Sequence, residues 1–207
     1  VEVFTAGGDT ICNVDPQPPL NPAHRPFWKK ADILDPVALQ AAFAEFSPEA
    51  VIHLAARTDC VEDTTVEEGY RLNTEGTRNV LDAIKATPTV RRVIITSSQF
   101  VCGPGYQPKH DEDFRPITVY GQSKAVSEQL TRAAVLPCTW TIVRPTNIWG
   151  PWHERYRREF WRVVAKGWYV HPGGAPVVRC YGYVGNVLRQ MRKILDLAPE
   201  FVNGQVF

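Results

Sequence analysis

Little in this sequence offers a metal site or a covalent staple. The five cysteines, Cys12, Cys60, Cys102, Cys138 and Cys180, are odd in number and scattered. No Cys-x-x-Cys or Cys/His cluster sets them at ligand spacing, and the five histidines stand apart, so no metal is expected. A reduced, cytoplasmic setting suits such thiols. Neither sign of charge dominates: 23 basic against 22 acidic residues leave +1. That balance gives no argument for nucleic acid or an anionic membrane as a partner. No apolar run reaches the length of a bilayer span, and no stretch has the form of a signal peptide. What remains, 44% hydrophobic and 22% charged residues, is ordinary globular composition. At 207 residues the chain has ample length to bury a core.

Short apolar runs alternate along it with amphipathic stretches. Val1 to Thr5 and Thr10 to Val14 read as strands, followed by a proline-rich loop (Pro16, Pro18, Pro19, Pro22) with turn chemistry. A brief strand is expected over Ala31 to Leu34. Asp35-Pro36 has the form of a helix start, with Asp as the cap and Pro at the first position, leading into Val37 to Phe46. Further strands are expected at Ala50 to Leu54, Arg91 to Thr96, Thr139 to Val143 and Gln205 to Phe207. The helices between and after them are expected at Val66 to Ala86, Ala125 to Ala134 and Val187 to Leu197. This alternation predicts an α/β fold, a Rossmann-like doubly wound parallel sheet covered on both faces. At about Trp149 the composition shifts toward tryptophan and arginine. The expected division is a dinucleotide-binding domain over 1–148 and a small C-terminal substrate lobe over 149–207, interleaved with the last strands.

The most informative stretch is Tyr120-Gly-Gln-Ser-Lys124. On a helix the two end residues share one face. A nearby ammonium favours the phenolate, so such a tyrosine can serve as an acid or base near neutrality. Ser98, at the end of the strand Val93 to Thr96, can hold a substrate hydroxyl or carbonyl beside it. The spacing alone can arise by chance, and context decides. Ligands of doubly wound sheets lie outside the carboxyl ends of the strands. Asp15 follows the second strand with no cation directly after it, which suits the ribose hydroxyls of NAD better than the 2'-phosphate of NADP. An ordinary turn Asp is the alternative.

Several motifs occur together in order. They are Asp32-Ile33, Val51-Ile52-His53-Leu54-Ala55-Ala56, Asn73-Thr74-Glu75-Gly76-Thr77-Arg78-Asn79-Val80-Leu81 and Ile95-Thr96-Ser97-Ser98. Tyr120 to Lys124, Arg144-Pro145-Thr146-Asn147-Ile148-Trp149-Gly150-Pro151 and Arg179-Cys180-Tyr181-Gly182-Tyr183-Val184 complete the series. With them the chain resembles the extended short-chain dehydrogenase/reductases, the NAD-dependent epimerase/dehydratase group. The resemblance implies NAD as cofactor and a nucleotide sugar or related polyol as substrate. It implies that Asp32 and Ile33 border the adenine, and that Leu54, Ala55, Ala56 and Thr58 run along the phosphates and riboses. Thr96, Pro145 and Thr146 would lie near the cofactor, and Lys124 would bind the nicotinamide ribose. Ser98, Tyr120 and Lys124 would be catalytic; Ser98, Phe100, Asn147 and Arg179 would meet the substrate. For Asn73 a structural role and a cofactor contact are both open. Relatives often dimerise through the helices matching Val66 to Ala86 and Val119 to Ala134, so a homodimer is expected.

The sequence departs from the family in places. The family's first strand leads into Gly-x-x-Gly-x-x-Gly and a helix that binds the pyrophosphate. Here Gly7 and Gly8 are read as the start of that loop, with the first helix missing after Gly8. Gln99-Phe100 replaces the Asp-Glu pair that dehydratases use, which favours an epimerase or reductase. The expected activity is hydride transfer between a sugar carbon and NAD. The alternatives are a dehydrogenase or reductase on a non-nucleotide substrate, and a catalytically silent NAD-binding sensor or scaffold.

Overall fold

The computed structural model describes residues 1–153, 156–170, 173–174 and 180–207. The chain begins with a short helix, α1 (Glu2–Ala6), and then a two-residue strand, β1 (Asn13–Val14). A 3-10 turn over Pro22–Phe27 leads into β2 (Trp28–Lys29), which pairs in parallel with β1. Helix α2 (Pro36–Phe46) starts as the sequence predicts: the Asp35 carboxylate accepts from the N–H groups of Val37 and Ala38 at 3.1 and 3.0 Å. Strand β3 (Ala50–His53), helices α3 (Val66–Gly69) and α4 (Arg71–Lys85), and strand β4 (Arg92–Thr96) follow. Helix α5 (Val119–Ala133) then leads to β5 (Thr139–Val143). The last part holds β6 (Asn147–Trp149), α6 (Arg162–Ala165), β7 (Tyr181–Tyr183), α7 (Val184–Asp196) and α8 (Pro199–Val202).

The central sheet runs β3-β4-β5, all parallel. The C-terminal residues extend it: Val206 bridges Ile142, and the Phe207 N–H donates to the Ile142 carbonyl at 3.0 Å. β6 and β7 form a separate parallel pair. Strand alternation distributes β4 between two cores. Val93 and Ile95 join Leu39, Phe43, Val80, Leu81, Ile84 and Ile142 under α2 and α4, whereas Ile94 joins Val143 and Met191 under α7. A strand so buried on both faces reads as a continuous apolar run, as Val93-Ile94-Ile95 does. Each of these side chains contributes roughly 1.5–3 kcal/mol by burial.

Four expectations give way to the structure. Val1 to Thr5 is helical, because five residues of mixed pattern cannot separate the two periodicities. Phe4 is buried there under the Arg192 guanidinium of α7. Gly7 and Gly8 therefore end a short helix instead of opening a phosphate loop, and the chain continues from them directly into β1, with the Asp9 N–H donating to the Phe4 carbonyl at 3.1 Å. Ala31 to Leu34 is a turn, in which the Asp32 side chain accepts from the Leu34 N–H at 2.9 Å. The helix predicted over 66–86 breaks at Tyr70, where φ is −121°. Arg57 Nη1 takes the Gly69 carbonyl at 2.7 Å, and the fully buried Tyr70 directs its hydroxyl to the Val61 carbonyl at 3.0 Å.

Candidate active site

Helix α5 is fixed at its first turn by two side chains. Thr118 Oγ1 accepts from the Gly121 N–H at 2.9 Å, and the Glu62 carboxylate, from the loop after β3, accepts from the Val119 N–H at 3.0 Å. Both satisfy donors that a helix start leaves unpaired. Gly121 is required by close approach: a Cβ there would lie 2.2 Å from the Phe100 carbonyl oxygen. The loop after β4 thus presses against α5 between Tyr120 and Lys124.

The sequence-predicted residues Ser98, Tyr120 and Lys124 are all buried here, with the Ser98 hydroxyl interacting with the Tyr120 phenol. Lys124 Nζ donates to the Thr96 carbonyl at the carboxyl end of β4, at 2.8 Å. Burial draws the Lys124 ammonium down to about 8, and the Glu128 carboxylate one turn further along α5 opposes that shift. Burial pushes the Tyr120 phenol above its ordinary value; interaction with the Ser98 hydroxyl pulls it back, and Cys60 and Tyr70 push it higher. The expectation of a phenol lowered by Lys124 is therefore not met, since desolvation dominates and the ammonium is engaged with Thr96. The rings of Phe100 and Tyr70 flank the phenol, with centroids 5.8 and 6.2 Å away.

The remaining predicted residues fall into distinct groups. Leu54, Ala55, Ala56 and Thr58 form the loop leaving β3, with Leu54 and Thr58 exposed. Asp15 is exposed at the carboxyl end of β1, where its side chain accepts from the Gln17 N–H at 2.7 Å. Ile33 directs its side chain into the core and against Gly76, leaving its backbone as the part that can meet a ligand. The Asn73 amide is fully engaged: it accepts from the Arg57 N–H at 2.7 Å and donates to the Arg57 carbonyl at 3.0 Å and to Ser123 Oγ at 2.9 Å. These bonds give Asn73 a structural role, pinning the β3 loop to α5. Pro145 accepts from the Gln99 N–H at 3.2 Å, and Thr146 Oγ1 donates to the Cys180 carbonyl at 2.9 Å. Asn147 lies in β6 opposite Tyr181, apart from the Tyr120 cluster in the sheet pairing. Arg179 lies outside the described residues.

Gly7 and Gly8 do not form a phosphate loop. They close the C-terminus of α1, where the Gly7 and Gly8 N–H groups donate to Phe4 and Thr5 carbonyls, each at 3.0 Å. A helix C-terminus presents carbonyls and a partial negative charge, the wrong end for a pyrophosphate.

Sequence reasoning missed the groups that hold the pair in place. His53, at the end of β3, is buried with its Nε2 3.1 Å from Thr77 Oγ1; desolvation, with a smaller push from Lys124, lowers it to about 3. Glu128 is fully buried and receives two 2.8 Å bonds from Arg144. Its position eight residues beyond Tyr120 puts it on the same helix face, a signal that the spacing already held.

A parallel sheet covered by helices on both faces, with Ser98 just beyond the end of β4 and Tyr120 and Lys124 on α5, is a Rossmann-type arrangement. The sequence matches the NAD dependent epimerase/dehydratase family over residues 1–206. The chain belongs to that family. It is 32% identical over 180 residues to an N-acetyl-alpha-D-glucosaminyl-diphospho-ditrans,octacis-undecaprenol 4-epimerase of Escherichia coli O157:H7, covering 82% of this chain and 52% of that protein. It is also 32% identical over 190 residues to the human 3 beta-hydroxysteroid dehydrogenase type 7, covering 82% and 51% respectively. A Thermus thermophilus UDP-glucose 4-epimerase, solved in complex with NAD, shares the fold at a TM-score of 0.77 and 23% identity, covering 100% of this chain and 71% of that one. The chain spans about half the length of the curated relatives it matches. Among the described residues no helix is long and apolar enough to cross a membrane.

Proposed function

We propose that this chain carries the catalytic residues of an NAD-dependent epimerase acting on a diphosphate-linked sugar. The observation that carries this reading is the buried Tyr120–Lys124 pair with the Ser98 hydroxyl against the phenol. The residues present fit the ribose and nicotinamide end of NAD. Thr96 Oγ1 and Ser97 Oγ are buried with no hydrogen-bond partner among the described residues. Lys124 commits one of its three donors to Thr96, which leaves two for ribose hydroxyls. Asp15 is followed by Pro16 and Gln17, so no cation awaits a 2'-phosphate. Leu54, Ala55, Ala56 and Thr58 are the proposed edge along the cofactor. The sequence contains no Gly-x-x-Gly-x-x-Gly, and no residue here is assigned to the pyrophosphate.

NAD, when bound, would supply a hydride acceptor and, in the reverse direction, a hydride donor. Ser98 donates to the sugar oxygen and orients it. Tyr120, once deprotonated, would take the hydroxyl proton as the carbon gives up its hydride, leaving a ketone. Tyr120 would hand the proton back to that oxygen when the hydride returns to the opposite face, which would give the epimer without net redox change. Burial opposes loss of the phenol proton, and the Ser98 hydroxyl works against that burial.

A second reading, a dehydrogenase on an apolar substrate, is supported by one observation. Trp149, Trp152, Trp161 and Trp168 are exposed, leaving apolar area available to an apolar substrate, and a relative at 32% identity is named a 3 beta-hydroxysteroid dehydrogenase. Incubation with NAD and a panel of UDP-sugars, a polyprenyl diphosphate sugar and 3β-hydroxysteroids separates the two. The epimerase reading expects conversion of a sugar without accumulation of NADH. Stoichiometric NADH from a steroid, with no sugar converted, would replace it with the second reading.

A further inference from the structure

Glu128 and Arg144 form a buried ion pair outside the proposed proton and hydride transfer. Glu128 is fully buried on α5, one turn beyond Lys124. Its carboxylate receives Arg144 Nε and Nη2, each at 2.8 Å, in a two-pronged clamp, and Arg132 Nη2 approaches to 4.0 Å. Arg144 stands immediately after β5, next to the strand whose end carries Thr96, the acceptor for Lys124. The same guanidinium lies over the Phe114 ring and donates to the Asp111 carbonyl. One buried carboxylate therefore joins the lysine's helix, the sheet edge and the loop before α5.

We infer that Glu128, clamped by Arg144, is a positioning residue that keeps Lys124 charged and aimed at the strand end. The groups facing Lys124 make the case. His53 approaches from the end of β3 and is neutral. Tyr120 shares its helix face and is neutral in this structure. Arg144 and Arg132 are cations on the far side of Glu128. Among these groups Glu128 alone brings negative charge, against a desolvation that favours the uncharged amine. The clamp matters because a bidentate arginine fixes the orientation of the carboxylate.

This inference rests on Tyr120 and Lys124 being the catalytic pair, but its test reads the lysine without turnover. Protein labelled at lysine with 13C and 15N is titrated by NMR, and the Lys124 signal is identified by its loss in Lys124→Met. The wild type should titrate near about 8. In Glu128→Gln the midpoint should fall by about one unit or more, a tenfold loss of proton affinity, and Glu128→Asp should recover most of it. Because Glu128→Gln leaves Arg144 unpaired in the interior and can unfold the chain, Glu128→Met with Arg144→Met removes both charges. It should show a smaller fall in the same direction. A folded variant lacking the carboxylate whose Lys124 midpoint stays within about 0.3 unit of the wild type overturns the inference. Should the lysine shift appear while Tyr120→Phe leaves turnover intact, the catalytic reading falls and the electrostatic one stands.

Discussion

Two regions of this molecule handle their functional side chains in opposite ways. At the junction of β4 and α5, Tyr120, Lys124, Asn73 and Glu128 are all buried, and each is held by neighbours from a different element. Along the stretch after Trp149, tryptophans face outward; Trp152, Trp161 and Trp168 are 56%, 55% and 67% exposed. On the proposed function, the difference separates chemistry from recognition. Proton transfer needs groups fixed before the substrate arrives, and burial with matched partners achieves that at the cost of perturbed ionisation. A recognition surface keeps its apolar area available until a ligand covers it. Changes in the first region should therefore alter stability and chemistry together, whereas changes in the second should spare stability.

The strongest test of that contrast is Glu128→Ala. It strands Arg144 as an unpaired buried charge, and the expected loss is about 3–5 kcal/mol in denaturant melts. A loss below about 1 kcal/mol would erase the distinction between the regions. His53 offers a pH-dependent test of similar size. Its folded value near 3 lies below its ordinary 6.5, so its contribution is fully present above pH 6.5 and is lost as pH falls toward about 3. Wild-type stability should drop by on the order of 4 kcal/mol across that window through this residue, and His53→Gln should flatten the slope. At the small end, Trp161→Ala should change stability by no more than about 0.5 kcal/mol. Its effect, if the stretch serves recognition, should fall on KM.

Elements with two agreeing signals were legible in the sequence. Asp35-Pro36 combined a cap with a favoured first residue, and Val93-Ile94-Ile95 combined length with β-branched composition; both formed as expected. Where one signal stood alone, tertiary contacts decided. Val1 to Thr5 became a helix by burying Phe4 beneath Arg192, a partner far along the chain. The break at Tyr70 depends on Arg57 reaching the Gly69 carbonyl, which no local pattern encodes. Gly7 and Gly8 show the same limit, since a glycine pair looks alike in a phosphate loop and at a helix end. The Tyr120–Lys124 pair was legible from spacing and setting. Its upward-shifted phenol was not, because burial is a property of the whole fold.

The central claim is that Tyr120 moves the substrate proton, and the most direct measurement is turnover of Tyr120→Phe set beside its melting temperature. The substitution deletes one hydroxyl and keeps the ring that packs between Phe100 and Tyr70. The account predicts a fall in kcat of roughly 10²- to 10⁴-fold, with the melting temperature and cofactor affinity nearly unchanged. A variant that melts like the wild type and turns over at the same rate would contradict it.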